Sequence, residues 1–144
     1  MRYRQKVIIK NSNIQKVIRS FHEIKFIKFL VSFQPVKIIK WNGINNNLIA
    51  HLKFWLINWH SFIVIHKKYK KTDTMLSFID EGLELPIGLT YWKHEHIIKE
   101  IKNQITIEDR INFKHRYYLV GIILYPILVC PILIRKALYP LYFR

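Results

Sequence analysis

The densest group of side chains that could do chemistry is the tripeptide His94-Glu95-His96. Two imidazoles ligate one metal ion together only when they share a face of their element. Residues i and i+2 point about 200° apart on a helix, whereas on a strand they lie on the same face. Because apolar residues recur at helical spacing around this segment, the sequence predicts a helix here and no metal site.

The other candidate groups give no stronger signal. His51 and His60 lie nine residues apart on a predicted helix, which puts them on opposite faces and excludes a shared haem. The lone cysteine, Cys130, lies in an apolar segment, where burial lowers thiol reactivity. With only four glycines, the chain has no glycine-rich phosphate-binding motif. The carboxylates of Asp80, Glu81 and Glu84 are close in sequence, a pattern typical of a solvated turn.

From these patterns we expect a protein that is not an enzyme. The sequence predicts no catalytic residue, no cofactor-binding residue and no metal ligand, and it predicts no bound cofactor. The seven histidines are then interfacial or hydrogen-bonded side chains, although each could still pair with a ligand from another chain.

Composition and charge are both strongly biased. Isoleucine occurs 26 times and alanine twice, a preference that packing does not explain and that AT-rich coding does, as in an organelle genome. The chain carries 24 lysines and arginines against nine acids, a formal charge of +15. Residues 1–72 hold 15 of these cations and one acid, Glu23, so the first half is a polycation that attracts phosphate groups of RNA or lipid.

Apolar residues recur at spacings of three and four over 14–31, which predicts an amphipathic helix. The apolar segment 48–65, interrupted by Lys53, predicts a helix that is buried on one side or lies in a membrane interface. Its length of 18 residues leaves a second membrane span as the alternative. Further helices are expected over 91–104 and from Thr106 onward. The sequence therefore predicts a mostly α protein with little or no sheet.

Residues 117–134 contain 18 successive positions without a charge, bounded by tyrosines at one end and by Arg135 and Lys136 at the other. This length, composition and flanking pattern predict a C-terminal single-pass transmembrane helix. A buried helix in a soluble core is the alternative, which Pro126 and Pro131 disfavour. The aromatic residues expected at the membrane interface are Trp55, Trp59, Tyr117, Tyr118 and Tyr139.

Four regions follow from these patterns. They are a basic amphipathic helical region (1–72), a loop and helix with balanced charge (73–105), a helix that continues into the transmembrane span (106–136) and a basic, aromatic tail (137–144). The basic side chains expected to contact lipid or phosphate are Lys16, Arg19, Lys25, Lys28, Lys67, Lys68, Lys70 and Lys71.

Together these features predict a non-catalytic, membrane-anchored accessory subunit of a large organellar assembly, such as a mitochondrial respiratory-chain complex. We expect it in the mitochondrial inner membrane with its N-terminal half on the matrix side, because translocating so many cations is costly. Its expected partners are other subunits of that complex and anionic lipid such as cardiolipin. The alternative is a mitochondrial ribosomal protein that binds rRNA through its basic N-terminal half.

Overall fold

A seven-stranded antiparallel sheet dominates the computed structural model, which describes residues 1–144. Its spatial order is β1-β7-β6-β5-β4-β3-β2, so the first strand pairs with the last and the others follow as a meander. The prediction of a mostly α protein with little or no sheet is therefore wrong. The strands are β1 (Arg2–Ile9), β2 (Val36–Trp41), β3 (Ile49–Leu56), β4 (Asn58–Lys71), β5 (Met75–Glu84), β6 (Leu89–Ile101) and β7 (Gln104–His115).

Four helices accompany the sheet. The helix predicted over 14–31 is present as two helices, α1 (Ile14–Phe21) and α2 (Ile24–Val31). The side chain of Asn13 accepts a hydrogen bond from the Lys16 backbone amide and so caps the start of α1. After β7 the chain forms α3 (Tyr118–Leu133) and α4 (Arg135–Tyr142). All four helices contribute buried side chains to one side of the sheet, which we call the inner side.

Three segments predicted to be helical are strands. Residues 48–65 form most of the β3–β4 hairpin, 91–104 belong mainly to β6, and the segment from Thr106 lies in β7. The inward positions of β6 alternate strictly, with Trp92, His94, His96 and Ile98 buried. Two of the four are polar, and they hide the two-residue apolar period that identifies a strand.

The core has two parts, which lie under different helices. The larger part joins β1, β5, β6 and β7 to α1, α2 and α4, and the smaller part lies under α3. Phe26 of α2 is at the centre of the larger part, where its ring contacts those of Phe21, Tyr139, Tyr142 and Phe143. These aromatic contacts hold α2 against α4.

The apolar segment 117–134 does form a helix, but the helix covers the sheet. Gly121, Val129 and Ile132 of α3 are buried, the last two against side chains such as Phe113 of β7. Tyr118–Tyr142 is the one helical stretch with the length and composition of a membrane span, with a mean hydropathy of 2.1. Since the inner face of α3 belongs to the core of a sheet-and-helix domain, the prediction of a single-pass transmembrane helix is wrong.

The contact between α2 and α4 can be tested by truncation. We expect Phe26→Ala to lower the free energy of unfolding by about 3–5 kcal/mol, because it removes a fully buried ring and leaves a cavity. Phe33→Ala is the control, since this ring is 68% exposed, and should change stability by about 0.5 kcal/mol or less. Urea unfolding followed by tryptophan fluorescence measures both. Equal effects of the two substitutions would contradict the fold.

Candidate functional site: a buried polar cluster and the outer face of α3

Strand register brings together side chains that are far apart in sequence. His66 of β4, Asp80 of β5 and His94 of β6 are direct cross-strand neighbours. One step along, His96 of β6 is paired with Asp109 of β7. Gln5 of β1 completes this second row, and Arg135 and Tyr139 of α4 approach it from the helices. We call these eight residues the polar cluster: Gln5, His66, Asp80, His94, His96, Asp109, Arg135 and Tyr139.

Asp109 is the most connected member of the polar cluster. Its carboxylate is fully buried and lies 3.0 Å from Nε2 of His94 and 3.2 Å from Nδ1 of His96. It also accepts hydrogen bonds from the Tyr139 hydroxyl, at 3.2 Å, and from the Gln5 amide, at 3.0 Å. Burial alone would raise the pKa of this carboxyl, but the contacts with His94 and His96 hold the pKa well below its ordinary value.

Asp80 is the second carboxylate of the polar cluster, and its side chain is 18% exposed. Its two oxygens are used separately, one 2.7 Å from Nδ1 of His66 and the other 3.1 Å from Nε2 of His96. Burial opposes ionisation here too, yet the charge of His96 and the hydrogen bond from His66 keep the pKa of Asp80 far below its ordinary value. Asp80 and Asp109 are therefore both ionised inside the protein.

The two histidines of β6 differ in charge although they are only two residues apart. Burial and the neighbouring positive charge of His96 lower the pKa of His94 to about 4. Burial would also lower the pKa of His96, but this ring lies between Asp80 and Asp109, and the two carboxylates raise it instead. His96 is thus an imidazolium and His94 a neutral imidazole near pH 7.

The polar cluster holds a set of donor atoms suited to a metal ion. Asp80, His94 and His96 each offer one ligand atom within 4.8 Å of the others. His94 and His96 lie on a strand and share its inner face, so the helical geometry that argued against a common ion does not apply. Because these two histidines are only 3% and 4% exposed, the site can admit a small ion more readily than an organic substrate.

The basic residues predicted to contact lipid or phosphate lie near one end of the sheet. Contacts of α1 with the β4–β5 hairpin, from Gln15 to Asp73 and from His22 to Tyr69, bring the two basic sets together. Apart from half-buried Lys67, all these side chains are exposed. They are Lys16 and Arg19 of α1, Lys25 and Lys28 of α2, and Lys67, Lys68, Lys70 and Lys71 of β4.

The predicted membrane-interface aromatics divide into two groups. Trp55 and Trp59 are paired and exposed at the tip of the β3–β4 hairpin, and Tyr117 and Tyr118 are exposed where α3 begins. Tyr139 is fully buried and donates its hydroxyl to Asp109, so placing it at an interface is wrong.

The outward face of α3 is the largest exposed apolar feature of the helices. Leu119 is 74% and Ile123 71% exposed, and the exposed Cys130 lies on the same stripe two turns beyond Ile123. No charged residue occurs between Tyr117 and Ile134. From Arg110 to the C-terminus the chain has six basic residues and no acid. The other exposed apolar side chains of α3 are Tyr118, Val120, Ile122, Ile127 and Leu133.

The sequence patterns do not single out Asp109, Gln5 or Arg135 as site residues. A signal for Asp109 does exist in the sequence. It lies in a run of inward side chains at two-residue spacing, with Ile107 before it and Ile111 after it. An acid within such a run indicates a buried carboxylate on a strand, which needs partners from elsewhere in the fold.

Similarity to known proteins is confined to the fold. No family model matches the chain, and no curated protein matches its sequence. Protein Ms6760 from Mycobacterium smegmatis matches with a TM-score of 0.72 and 5% identity, over 99% of this chain and 90% of that one. Norcoclaurine synthase from Thalictrum flavum, in complex with dopamine and hydroxybenzaldehyde, matches with a TM-score of 0.64 and 13% identity, over 96% of this chain and 83% of that one.

The Aha1 dimer from Colwellia psychrerythraea matches with a TM-score of 0.59 and 12% identity, over 94% of this chain and 93% of that one. These neighbours are sheet-and-helix proteins of the Bet v1-like type. This fold, with α3 packed on the sheet, contradicts the prediction of a membrane-anchored accessory subunit of a respiratory-chain complex. At these identities the similarity establishes the fold alone.

The opposite pKa shifts of His94 and His96 predict a stability maximum near pH 6.5. His94 binds fewer protons when folded, so its contribution is complete above about pH 6.5 and is lost as the pH falls toward 4. His96 binds its proton more tightly when folded, so its contribution is complete below about pH 6.5 and is lost as the pH rises through its raised pKa.

Urea unfolding of the metal-free protein between pH 4 and 9 tests this. His94→Gln should flatten the acid side of the profile above pH 4, and His96→Gln the alkaline side. His51→Gln, at a half-buried site outside the polar cluster, should retain both slopes. A wild-type profile without a maximum in this range would contradict the assigned charges.

Proposed function

We propose that this chain is a non-enzymatic binding domain that attaches to an anionic lipid surface through the outward face of α3. The observation that carries the proposal is a helix face of large exposed apolar side chains without a charge, with cations beyond both ends. The lipid headgroups supply negative charge, and the outer part of the acyl chains supplies the apolar environment.

The apolar content of this face supports attachment to something less polar than water. Folded monomers rarely expose a contiguous apolar patch larger than about 300–600 Å², and larger patches mark binding surfaces. Leu119 and Ile123 are each more than two-thirds exposed, and the stripe runs along most of α3. Placing this stripe in the outer part of a bilayer removes it from water while the sheet stays outside.

Charge favours a lipid surface over a second copy of the chain. Exposed cations precede α3 at Lys114 and Arg116, and Lys136 follows it. Two copies of α3 packed face to face would bring these like charges together in either relative direction, which is unfavourable. Anionic headgroups attract the same cations, by about 1 kcal/mol for each lysine or arginine near the surface.

A second exposed apolar group lies close to α3 and supports the same attachment. The tip of the β3–β4 hairpin exposes Ile57 by 82%, between Trp55 and Trp59. The backbone N–H of Trp55 donates a hydrogen bond to the carbonyl of Pro35, so the α2–β2 turn contacts this tip. The neighbouring Gln34 amide lies 3.5 Å from the carbonyl of Pro131 in α3. The turn therefore contacts both the hairpin tip and the C-terminal part of α3, and tryptophan suits the headgroup region.

The proposal keeps the expectation of a non-enzymatic protein and of anionic lipid as a partner. It differs from the sequence-based prediction in geometry, because α3 lies along the lipid surface and does not cross it. The organellar location, protein partners and the alternative partner, rRNA, stay predictions from the sequence.

Binding to vesicles tests the apolar face. We expect the double substitution Leu119→Gln/Ile123→Gln to weaken binding to phosphatidylcholine vesicles containing phosphatidylglycerol by roughly tenfold or more. Two exposed aliphatic side chains then no longer enter the lipid, and each factor of ten corresponds to about 1.4 kcal/mol. Co-sedimentation of the full chain with the vesicles measures the affinity.

The matched control is Ile101→Gln, which changes an exposed isoleucine at the end of β6, away from α3. Circular dichroism and urea unfolding confirm that each variant is folded. The control should bind as the wild type does. The lipid assignment would fail if the wild type did not bind these vesicles, or if the double variant bound equally well.

The position of the charges gives a separate prediction. Arg116→Gln/Lys136→Gln should weaken vesicle binding by about thirtyfold at low salt, because two cations beside the apolar face are lost. Lys70→Gln/Lys71→Gln removes the same charge from the β4–β5 end of the sheet, beside α1, and should have a much smaller effect. If the order of the two effects were reversed, the basic end of the sheet would be the lipid-facing surface.

A further inference from the structure

The inner side of the sheet carries a second site that the proposed lipid attachment does not use. We infer that Asp80, His94 and His96 bind a divalent transition-metal ion such as Zn²⁺. Two imidazole nitrogens and one carboxylate oxygen are the donor types that such ions prefer, and they suit Mg²⁺ and Ca²⁺ poorly. Three protein ligands leave a fourth position for a water molecule.

The distances fit one ion. The three donor atoms lie within 4.8 Å of one another, and Nε2 of His96 is 3.1 Å from Oδ2 of Asp80. Ligand atoms of a tetrahedral site with bonds of 2.0–2.2 Å are separated by roughly 3.4 Å. A small closure of the set around the ion is therefore sufficient. Adjacent paired strands hold all three side chains, which limits the conformational freedom lost on binding.

Neighbouring residues orient the ligands as the outer contacts of known metal sites do. A ligating histidine commonly donates its other ring N–H to a carboxylate, which fixes the orientation of the ring. Here Nε2 of His94 and Nδ1 of His96 both face Asp109, which leaves the other nitrogen of each ring for the ion. His66 contacts Oδ1 of Asp80, so Oδ2 remains available.

Three buried polar atoms of the cluster lack a hydrogen bond, so its members do not satisfy one another fully. Nδ1 of His96 lies 3.2 Å from Oδ1 of Asp109 but outside hydrogen-bond geometry, and Nε2 of His66 and Nε of Arg135 have no partner. Most buried polar atoms in proteins have partners, so such exceptions need an explanation, and an ion in the cluster is one. An ion held by Nε2 of His96 would leave the Nδ1 side of this ring free to adjust toward Asp109.

Cobalt binding tests the site without an activity assay. The full chain is treated with EDTA, dialysed and titrated with Co²⁺, and separately with Zn²⁺. We expect one ion per chain by mass spectrometry of the metal content and a visible d–d absorption from tetrahedral Co²⁺.

Variants then locate the ion. Asp80→Asn and His94→Gln should each weaken Co²⁺ binding by at least a hundredfold and abolish the absorption, while His51→Gln should bind as the wild type does. Near-ultraviolet circular dichroism of the metal-free variants reports on folding, and a variant that does not fold is replaced by His94→Asn. The inference is overturned if the wild type takes up no stoichiometric ion, or if a folded ligand variant retains the wild-type spectrum. Lipid binding by α3 is measured separately and stands or falls independently.

Discussion

Two carboxylates, Asp80 and Asp109, lie between the sheet and its covering helices, where their charges have to be balanced within the fold. An unpaired ion in a protein interior costs several kcal/mol, so removing either partner of such a pair is strongly destabilising. His96 provides one positive charge from the sheet, and Arg135, 3.9 Å from Asp109, provides another from α4. This balance depends on β4, β5, β6, β7 and α4 coming together at the same point.

The same requirement determines how α3 is displayed. Gln5 donates one hydrogen bond to Asp109 and another, of 2.7 Å, to the carbonyl of Ile132 near the end of α3. Just beyond the junction between α3 and α4, Arg135 and Tyr139 contact the Asp109 carboxylate and so hold α4 on the sheet. With its C-terminal end fixed in this way, α3 presents Val129 and Ile132 to the core and Leu119 and Ile123 outward. The helix is apolar all round. This agrees with a position in which its inner face contacts the core and its outer face, as proposed, contacts lipid.

The sequence predicted those elements whose signal is local. The apolar spacing over 14–31 identified α1 and α2, and the uncharged run 117–134 identified α3. Strands β6 and β7 were missed because His94, His96 and Asp109 occupy positions where an apolar residue would reveal a period of two. These polar residues are tolerated only because partners such as Gln5, 104 residues away from Asp109, are brought beside them. No local pattern contains that information, and neither the polar cluster nor the shared face of His94 and His96 followed from spacing alone.

The single cysteine gives the most direct test of the orientation proposed for α3. Cys130 is exposed on the outward stripe, so a spin label attached to it reports on the depth of that face without any substitution. With vesicles containing phosphatidylglycerol, we expect the label at a depth of about 5–10 Å, at the boundary of headgroups and acyl chains. A label that stays in water when vesicles are added, or one that reaches the centre of the bilayer, would contradict this orientation.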